Sequence, residues 1–336
     1  MDDIKVNQNP KLGSVDRPNS YIGRSLSRDD ARKHLEGVGQ FVDDLNLPRM
    51  VNIAFLRSPF AHADILSIDV TKAKSFPGII DVLIAEDIDK ICTPWVGTLG
   101  HLGEMRSPEQ SPLAAKTVRW QGEAVAVVIA NSRAQAEDAI EAIDVEWLEK
   151  DAQVDMETAL NKDAIVIHEE LGNNLFWTRT VEQGNVEDAF QQSDIVVETT
   201  LDFSRHTGVT LEPRGIIADW NKTESKMTIY HNNQAPHMMQ HIIAKHFNIS
   251  EGLVRIISKD VGGSFGIKVH VYADEMTAIA VSKKIGRPVK FMADRLESFT
   301  TDIHARCHKI SGKLGVDKTG KILAMEINDL SGIGPY

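Results

Sequence analysis

The segment that decides the fold is DVGGSFGIK, residues 260–268, which follows the apolar run VRIIS and precedes a predicted helix over roughly 270–284. In such a strand-to-helix turn, here called the glycine-rich loop, backbone N–H groups can face an anion, and glycine permits positive φ. It is not a Walker A loop, because Val269 stands where Ser or Thr is needed, and it lacks the G-x-G-x-x-G spacing. A binding loop and a structural tight turn both stay open at this point.

Strands and helices alternate on both sides of this loop, which predicts a mixed α/β (α+β) fold. The continuous apolar run EAVAVVIA predicts a strand buried on both faces. The predicted strands are 50–57, 63–70, 79–84, 123–130, 144–148, 194–203, 215–220, 226–231, 254–258 and 288–293, and the main predicted helices are 133–143, 236–247 and 270–284. The sequence DKTG at 317–320 predicts a hairpin turn.

Composition and charge exclude several classes of protein. The 336 residues are 42% hydrophobic and 25% charged, which is ordinary globular composition, and the length predicts two or three domains. A formal net charge of −11 argues against a nucleic-acid binder, because an acidic chain repels phosphate backbones. The polar N-terminal residues do not resemble a signal peptide, and no apolar run is long enough to span a membrane, so we expect a cytoplasmic protein.

The sequence contains only two cysteines, Cys92 and Cys307. Two thiols exclude a disulfide scaffold, and they also exclude an iron–sulfur cluster or an all-cysteine zinc site held by this chain alone. No Cys–His–Asx order accompanies Cys307, so we interpret it as a core residue and not as a nucleophile.

Shifts in composition predict the domain organisation. Residues 1–20 form a polar, flexible arm, and residues 21–155 form a first domain. The acid-rich residues 156–175 form a linker, and residues 176–336 form a second domain. The sequence SRDD at 27–30 has capping-box spacing and predicts a short helix that ends near Gly37.

Four histidines lie close together in the sequence: His231, His237, His241 and His246. His237 and His241 have the i,i+4 spacing of a zinc-binding pair, as in a zinc hydrolase. No glutamate follows His237, however, and no third ligand is evident, so exposed or hydrogen-bonded helix histidines are the favoured interpretation.

Three polar segments have both a structural and a functional interpretation. Gln234, in the loop NNQAP, has a side-chain amide that can donate to an oxo or phosphate group. The sequence EPR at 212–214 either forms a structural ion pair at a turn or belongs to a functional site. The sequence DRLE at 294–297 is predicted to be a charged loop after a strand.

The order of these motifs resembles the xanthine dehydrogenase/aldehyde oxidase family. Similarity to its a/b hammerhead domain lies in GVGQFVDDL (37–45), RSPFAHA (57–63) and GEAVA (122–126). Similarity to the start of its molybdopterin-binding region lies in EPR (212–214), QAPH (234–237), DVGGSFGIK (260–268), GRPV (286–289) and DRLE (294–297). The resemblance implies a hammerhead domain over 21–155 and an incomplete molybdenum cofactor-binding domain over 176–336, as the N-terminal portion of a longer large subunit.

The glycine-rich loop resembles the family's G-G-G-F-G-x-K loop, with Ser264 in place of the middle glycine. The resemblance implies that the cofactor-binding residues are Gln234, Gly262, Gly263, Ser264, Phe265 and Gly266. Gln234 and Gly266 are expected near an oxo group of the molybdenum, and no residue of this chain is expected to ligate the metal. The family's catalytic glutamate is expected to lie outside these residues.

Val269 stands where purine-oxidising members carry a glutamate, and this difference disfavours xanthine as the substrate. In this respect the sequence is similar to carbon monoxide dehydrogenase-like large subunits. The resemblance implies hydroxylation of an aldehyde, an N-heterocycle or a similar small substrate, with water as the oxygen source. It implies molybdenum–molybdopterin, in the cytosine dinucleotide form, on the large subunit, with iron–sulfur clusters on a small subunit and FAD on a medium subunit. The alternative is a non-catalytic split-gene product that acts as an assembly or binding module.

Overall fold

The computed structural model describes residues 28, 31–97 and 103–336. The strands are β1 (Val51–Arg57), β2 (Ala63–Asp69), β3 (Ile79–Ile84), β4 (Trp95–Val96), β5 (Glu109–Gln110), β6 (Thr117–Val118), β7 (Ala124–Ala130), β8 (Asp144–Glu149), β9 (Ile195–Phe203), β10 (Gly215–Asn221), β11 (Lys226–His231), β12 (Val254–Ile257), β13 (Val289–Met292), β14 (Cys307–Val316) and β15 (Ile322–Gly332). The helices are α1 (Ala31–Leu35), α2 (Thr71–Lys74), α3 (Ala85–Ile88), α4 (Arg133–Ile140), α5 (Val186–Gln191), α6 (Pro236–His246), α7 (Ala273–Ile285) and α8 (Arg295–Thr301). Short 3-10 turns span Glu169–Leu171, Glu251–Leu253 and Ile267–Val269.

A seven-stranded mixed sheet in the order β12-β11-β10-β13-β1-β7-β3 lies at the centre of residues 41–336, which form one unit. Strand β1 pairs in parallel with β13 and antiparallel with β7. Strands from both sides of the predicted linker at 156–175 therefore share one sheet. The boundaries proposed for the two domains stay a prediction.

The central strand β7 is buried along its whole length, as its continuous apolar run predicts. Val127 and Ile129 join the core cluster that includes side chains of α6 and α7. Val128 joins the second cluster, which includes Ala136 and Ala139 of α4. Helices thus cover both faces of the sheet, and the mixed α/β fold is confirmed.

Three smaller sheets complete the fold, in the orders β15-β14-β9, β6-β2-β8 and β4-β5. The predicted hairpin turn between β14 and β15 is confirmed. Asp317 N–H donates to the carbonyl of Lys321 at 3.0 Å, and Gly320 has a φ of +86°.

Parts of the N-terminal prediction lie outside the described residues. The arm at 1–20 is among them, as are Ser27 and Asp30 of the expected capping box. Helix α1 lies within the predicted short helix, and Gly37 follows it with a φ of +70°. Among the described residues, no helix has the length and apolar character needed to cross a membrane.

A buried carboxyl group lies at the start of β7. Glu123 accepts hydrogen bonds from the N–H of Arg119 at 2.6 Å and from the hydroxyl of Tyr336 at 2.9 Å. His168 Nε2 lies 2.6 Å from the carbonyl oxygen of Pro335, next to the same ring. Burial raises the pKa of Glu123 to about 7, because desolvation of the carboxylate outweighs these hydrogen bonds.

We expect Glu123→Gln to stabilise the fold at pH 8 and to have little effect at pH 5. Folding raises the pKa of this carboxyl from 4.5 to about 7, so its contribution to the free energy of unfolding is fully present below pH 4.5. That contribution is lost as the pH rises through 7. Gln mimics the protonated form, so the gain at pH 8 is up to about 3 kcal/mol. Urea unfolding at both pH values measures it. The exposed control Glu224→Gln should leave the free energy of unfolding unchanged at both pH values. If Glu123→Gln raised it equally at pH 5 and pH 8, the gain would not come from the ionisation of Glu123.

Candidate functional site

The glycine-rich loop follows β12 and holds three residues with positive φ: Gly263 (+97°), Phe265 (+52°) and Gly266 (+89°). A Cβ at Gly262 would lie 2.5 Å from the Cβ of Glu212, so a larger residue does not fit there. At Gly266, no described atom lies within 4 Å of an added Cβ. The side chain of Phe265 is 79% exposed. The loop therefore packs closely against Glu212 on one side, while Phe265 and Gly266 leave its other side open to solvent.

Gln234 lies against this loop, at the junction between β11 and α6. Ser264 Oγ donates to Gln234 Oε1. Gln234 N–H donates to the carbonyl of Lys268 at 3.0 Å, and Lys268 N–H donates to Ser264 Oγ at 3.2 Å. Among residues 31–97 and 103–336, none accepts a hydrogen bond from the amide nitrogen of Gln234. The structure thus brings together Gln234 and the loop, and this amide nitrogen remains available to a ligand.

Glu212 and Lys268 form an ion pair behind the loop, with Nζ and Oε2 3.0 Å apart and side chains only 10% and 1% exposed. The same Oε2 accepts the N–H of Gly262 at 2.7 Å, while Glu212 N–H donates to the carbonyl of Gly262 at 3.2 Å. Burial lowers the pKa of Lys268, and the nearby carboxylate of Glu212 opposes this shift. One carboxylate therefore fixes both ends of the loop.

Arg214, two residues after Glu212, is completely buried among carboxylates. Its guanidinium binds Asp274 in a bidentate manner at 2.8 and 2.9 Å and contacts Asp302 at 2.5 Å and Glu275 at 3.2 Å. It also stacks 3.6 Å from the ring centroid of Tyr272. The ion-pair interpretation of EPR is confirmed for Arg214, and this cluster joins the start of β10 to α7 and to the end of α8.

The charged groups of this cluster stabilise one another. Burial by itself raises the pKa of Asp274, but Arg214 and Arg57 outweigh it and lower that pKa to about 2. Burial likewise opposes the charge on Arg214, and Asp274 and Glu275 raise its pKa above the ordinary value. Asp274 and Arg214 therefore stay ionised across the physiological range, whereas burial raises the pKa of Asp302.

The DRLE segment at 294–297 has a structural role. Asp294 and Glu297 form a reciprocal capping box at the start of α8. Glu297 also contacts Arg57 Nε at 3.0 Å. Arg295 donates to the carbonyl of Thr210 at 2.7 Å, which ties α8 to the segment that leads into Glu212.

The four histidines do not meet. His231 is buried with Nε2 3.0 Å from Glu275, and His246 contacts the hydroxyl of Thr93. His241 lies 3.5 Å from Glu251 on the surface. In the part of the chain that the structure describes, no group of three or more His, Cys, Asp or Glu side chains could hold a metal ion. The favoured interpretation of these histidines as hydrogen-bonded or exposed residues agrees with these contacts.

Three further residues that the sequence analysis named are buried or half-buried. Cys92 is buried, and burial raises the pKa of its thiol to about 12, so it is not a reactive thiolate. Cys307 is half-buried at the start of β14, with Sγ 3.5 Å from Met156 Sδ. Val269 ends the 3-10 turn after the glycine-rich loop and is half-buried.

Sequence reasoning missed the supporting role of Lys268 and the acidic partners of Arg214. The signal that could have pointed to them is the acidic pair Asp274–Glu275 in the first turn of a helix whose next residues are mostly apolar. Charged residues on a helix that is buried all round need buried partners of opposite charge.

Two family models match the chain. The molybdopterin cofactor-binding domain matches residues 167–336, and the a/b hammerhead domain of aldehyde oxidase and xanthine dehydrogenase matches residues 36–151. Together they cover most of the residues from 36 onwards.

Among curated relatives, the carbon monoxide dehydrogenase large chain of Hydrogenophaga pseudoflava is 32% identical over 93% of this chain and 40% of its own length. The nicotine 6-hydroxylase large subunit of Paenarthrobacter nicotinovorans is 30% identical over 98% of this chain and 40% of its own length. The crystal structure of quinoline 2-oxidoreductase from Pseudomonas putida 86 superimposes with a TM-score of 0.88 and 33% identity, over 92% of this chain and 39% of that one. The chain thus spans about two fifths of the length of the relatives it matches.

We expect Lys268→Met to destabilise the fold by about 3 kcal/mol, because it leaves the carboxylate of Glu212 buried without its cation. The double variant with Glu212→Gln should recover part of this loss. Urea unfolding of both variants measures the free energies.

The matched control is Lys309→Met. Its ion pair with Glu157 is shorter, 2.6 Å against 3.0 Å, but the two side chains are 36% and 51% exposed. Lys309→Met should lower the free energy of unfolding by less than about 1 kcal/mol. Equal losses at Lys268 and Lys309 would show that the buried pair does not support the loop.

Proposed function

Because this chain belongs to the xanthine dehydrogenase/aldehyde oxidase family of molybdopterin-binding large subunits, we propose that it builds part of the molybdenum cleft of a hydroxylase. The proposed reaction is the oxidative hydroxylation of an aldehyde, an N-heterocycle or a similar small molecule, with water as the oxygen source. The observation that carries the proposal is the contact between Gln234 and the glycine-rich loop through Ser264.

The residues present fit an oxo or oxyanion group. Gln234 offers an amide nitrogen that no described residue uses, and no described atom lies within 4 Å of a Cβ added at Gly266. The ion pair of Lys268 with Glu212 fixes the loop before any ligand arrives. Fixed N–H dipoles of this kind stabilise a negative oxygen without reorganisation.

The residues that would hold the cofactor are Gln234, Gly262, Gly263, Ser264, Phe265 and Gly266. When bound, molybdenum–molybdopterin supplies the redox and oxygen-transfer chemistry. The chain's own contribution is positional. Ser264 holds the Gln234 carbonyl oxygen, so the amide nitrogen turns away from the loop hydroxyl. The ring of Phe265, on the same loop, is exposed and offers an apolar surface.

The substrate class follows from Val269, beside the loop. An isopropyl group cannot hydrogen-bond the polar edge of a purine, whereas it can pack against an apolar or aromatic ring. This supports a substrate other than xanthine.

Partner subunits would carry the electrons away. The two cysteines of this chain cannot hold an iron–sulfur cluster. The proposal therefore places iron–sulfur clusters on a small subunit and FAD on a medium subunit, with the rest of the large subunit completing the cleft. It takes the cofactor as the cytosine dinucleotide form and the location as the cytoplasm.

We expect Gln234→Ala, in the complete enzyme with its partner subunits, to keep the molybdenum content and to lower turnover by at least tenfold. The physical reason is the loss of one fixed donor to a developing negative oxygen, a change that typically lowers turnover by about 10²–10³-fold. Elemental analysis and dye reduction measure the two quantities.

The control Gln192→Ala alters an exposed glutamine after α5 and should match the parent enzyme in both assays. Unchanged turnover of Gln234→Ala at full molybdenum content would contradict the role of this amide.

A further inference from the structure

The β15-β14-β9 sheet presents an apolar face to solvent. Side chains alternate along a strand, so Ile195, Val197, Leu201 and Phe203 of β9 share one face. The register places Leu314 of β14 beside Val197 and opposite Met325 of β15, and Gly312 opposite Ile327. We call the following six residues the apolar face: Ile195, Val197, Leu201, Phe203, Met325 and Ile327. Each of the six is between 51% and 60% exposed.

The other face of this sheet carries charged side chains and is covered in part. Lys309 forms its ion pair with Glu157 there, and Lys313 Nζ lies 4.7 Å from the ring centroid of Phe190 on α5. A Cβ at Gly315 would collide with the same helix region. The partly covered side of the sheet therefore carries the lysines, and the open side carries the apolar face. His308 Nδ1 lies 3.0 Å from Asp329 at one end of that open side. A half-exposed antiparallel sheet normally shows the reverse pattern.

Contiguous apolar surface of this size marks an interaction site. In addition, β9 and β15 pair on one side only among the described strands, so the sheet has two open edges. The occupant has to be apolar and large, because no single ion pair or cap could cover three strands.

We propose that the apolar face is the docking surface for the additional polypeptide of the large subunit, packed against it within one subunit. The inference depends on the proposed function, in which this chain is part of a longer large subunit. The relatives contain much more chain than this one, since it spans 40% of their length. That polypeptide is long enough to cover the face permanently, and a permanent interface is typically as apolar as a protein core.

A photo-crosslinking phenylalanine analogue tests the occupant. It replaces Phe203 on the apolar face in the complete large subunit, purified with its partner subunits, and Glu198 on the opposite face of β9 as the matched control. The expected result at 203 is crosslinks to peptides of the same subunit outside these 336 residues. At 198 such crosslinks should be at least tenfold rarer.

Crosslinks from position 203 to a second copy, identified by mixing isotopically light and heavy protein, would overturn the proposal. So would crosslinks to a partner subunit, or none from a folded protein. Molybdenum content is measured on the same sample. Molybdenum without the expected crosslink refutes the docking surface only, whereas the crosslink without molybdenum refutes the proposed function only.

A pair of lysine variants gives a second measurement. Val197→Lys places a charge on the apolar face, and Thr200→Lys places it on the other face of the same strand, where Thr200 is exposed. In the complete subunit, Val197→Lys should lower the thermal midpoint by several degrees more than Thr200→Lys, because only the first charge is buried by the occupant. Equal shifts would overturn the proposal.

Discussion

The buried guanidinium of Arg214 is the interaction on which the rest of the site depends. It lies at the start of β10, and its carboxylate partners come from α7 and from the end of α8. Removing any partner from such a cluster leaves an uncompensated buried charge, so each carboxylate keeps the others in place. Through Asp274 the cluster reaches Arg57 at the end of β1, and it thereby anchors two helices to the central sheet.

This anchor determines where the glycine-rich loop can lie. Only Pro213 separates Arg214 from Glu212, so fixing the guanidinium also fixes the carboxylate that binds Gly262 and Lys268. The rigidity of the loop therefore originates in these ionic contacts, and the amide nitrogen of Gln234 stays available to a ligand. A site that stabilises oxygen charge needs this division, because donors that move on binding lose much of their effect.

Local patterns in the sequence were enough for most of the fold. The apolar run of β7, the turn at 317–320 and the glycine-rich loop were predicted because each depends on neighbours in the chain. The same holds for the placement of Gln234 between β11 and α6. The Arg214 cluster was not predicted in detail, because its partners lie 60 to 88 positions away. Arg57 and Asp274 are 217 positions apart. No period or spacing encodes such contacts; only the packed sheet brings them together.

The unusual orientation of the β15-β14-β9 sheet fits the same physical picture. The side of the sheet that carries Lys309 and Lys313 faces the segment at 153–193, which contacts both lysines, and the side that carries the apolar face stays open. The glycine-rich loop is likewise supported on one side and open on the other, with the ring of Phe265 exposed. Exposed apolar groups on an otherwise well-packed unit raise the free energy of the isolated fold, and this cost is recovered only when more polypeptide covers them. A cleft that is completed by a second body of protein requires such surfaces on the first.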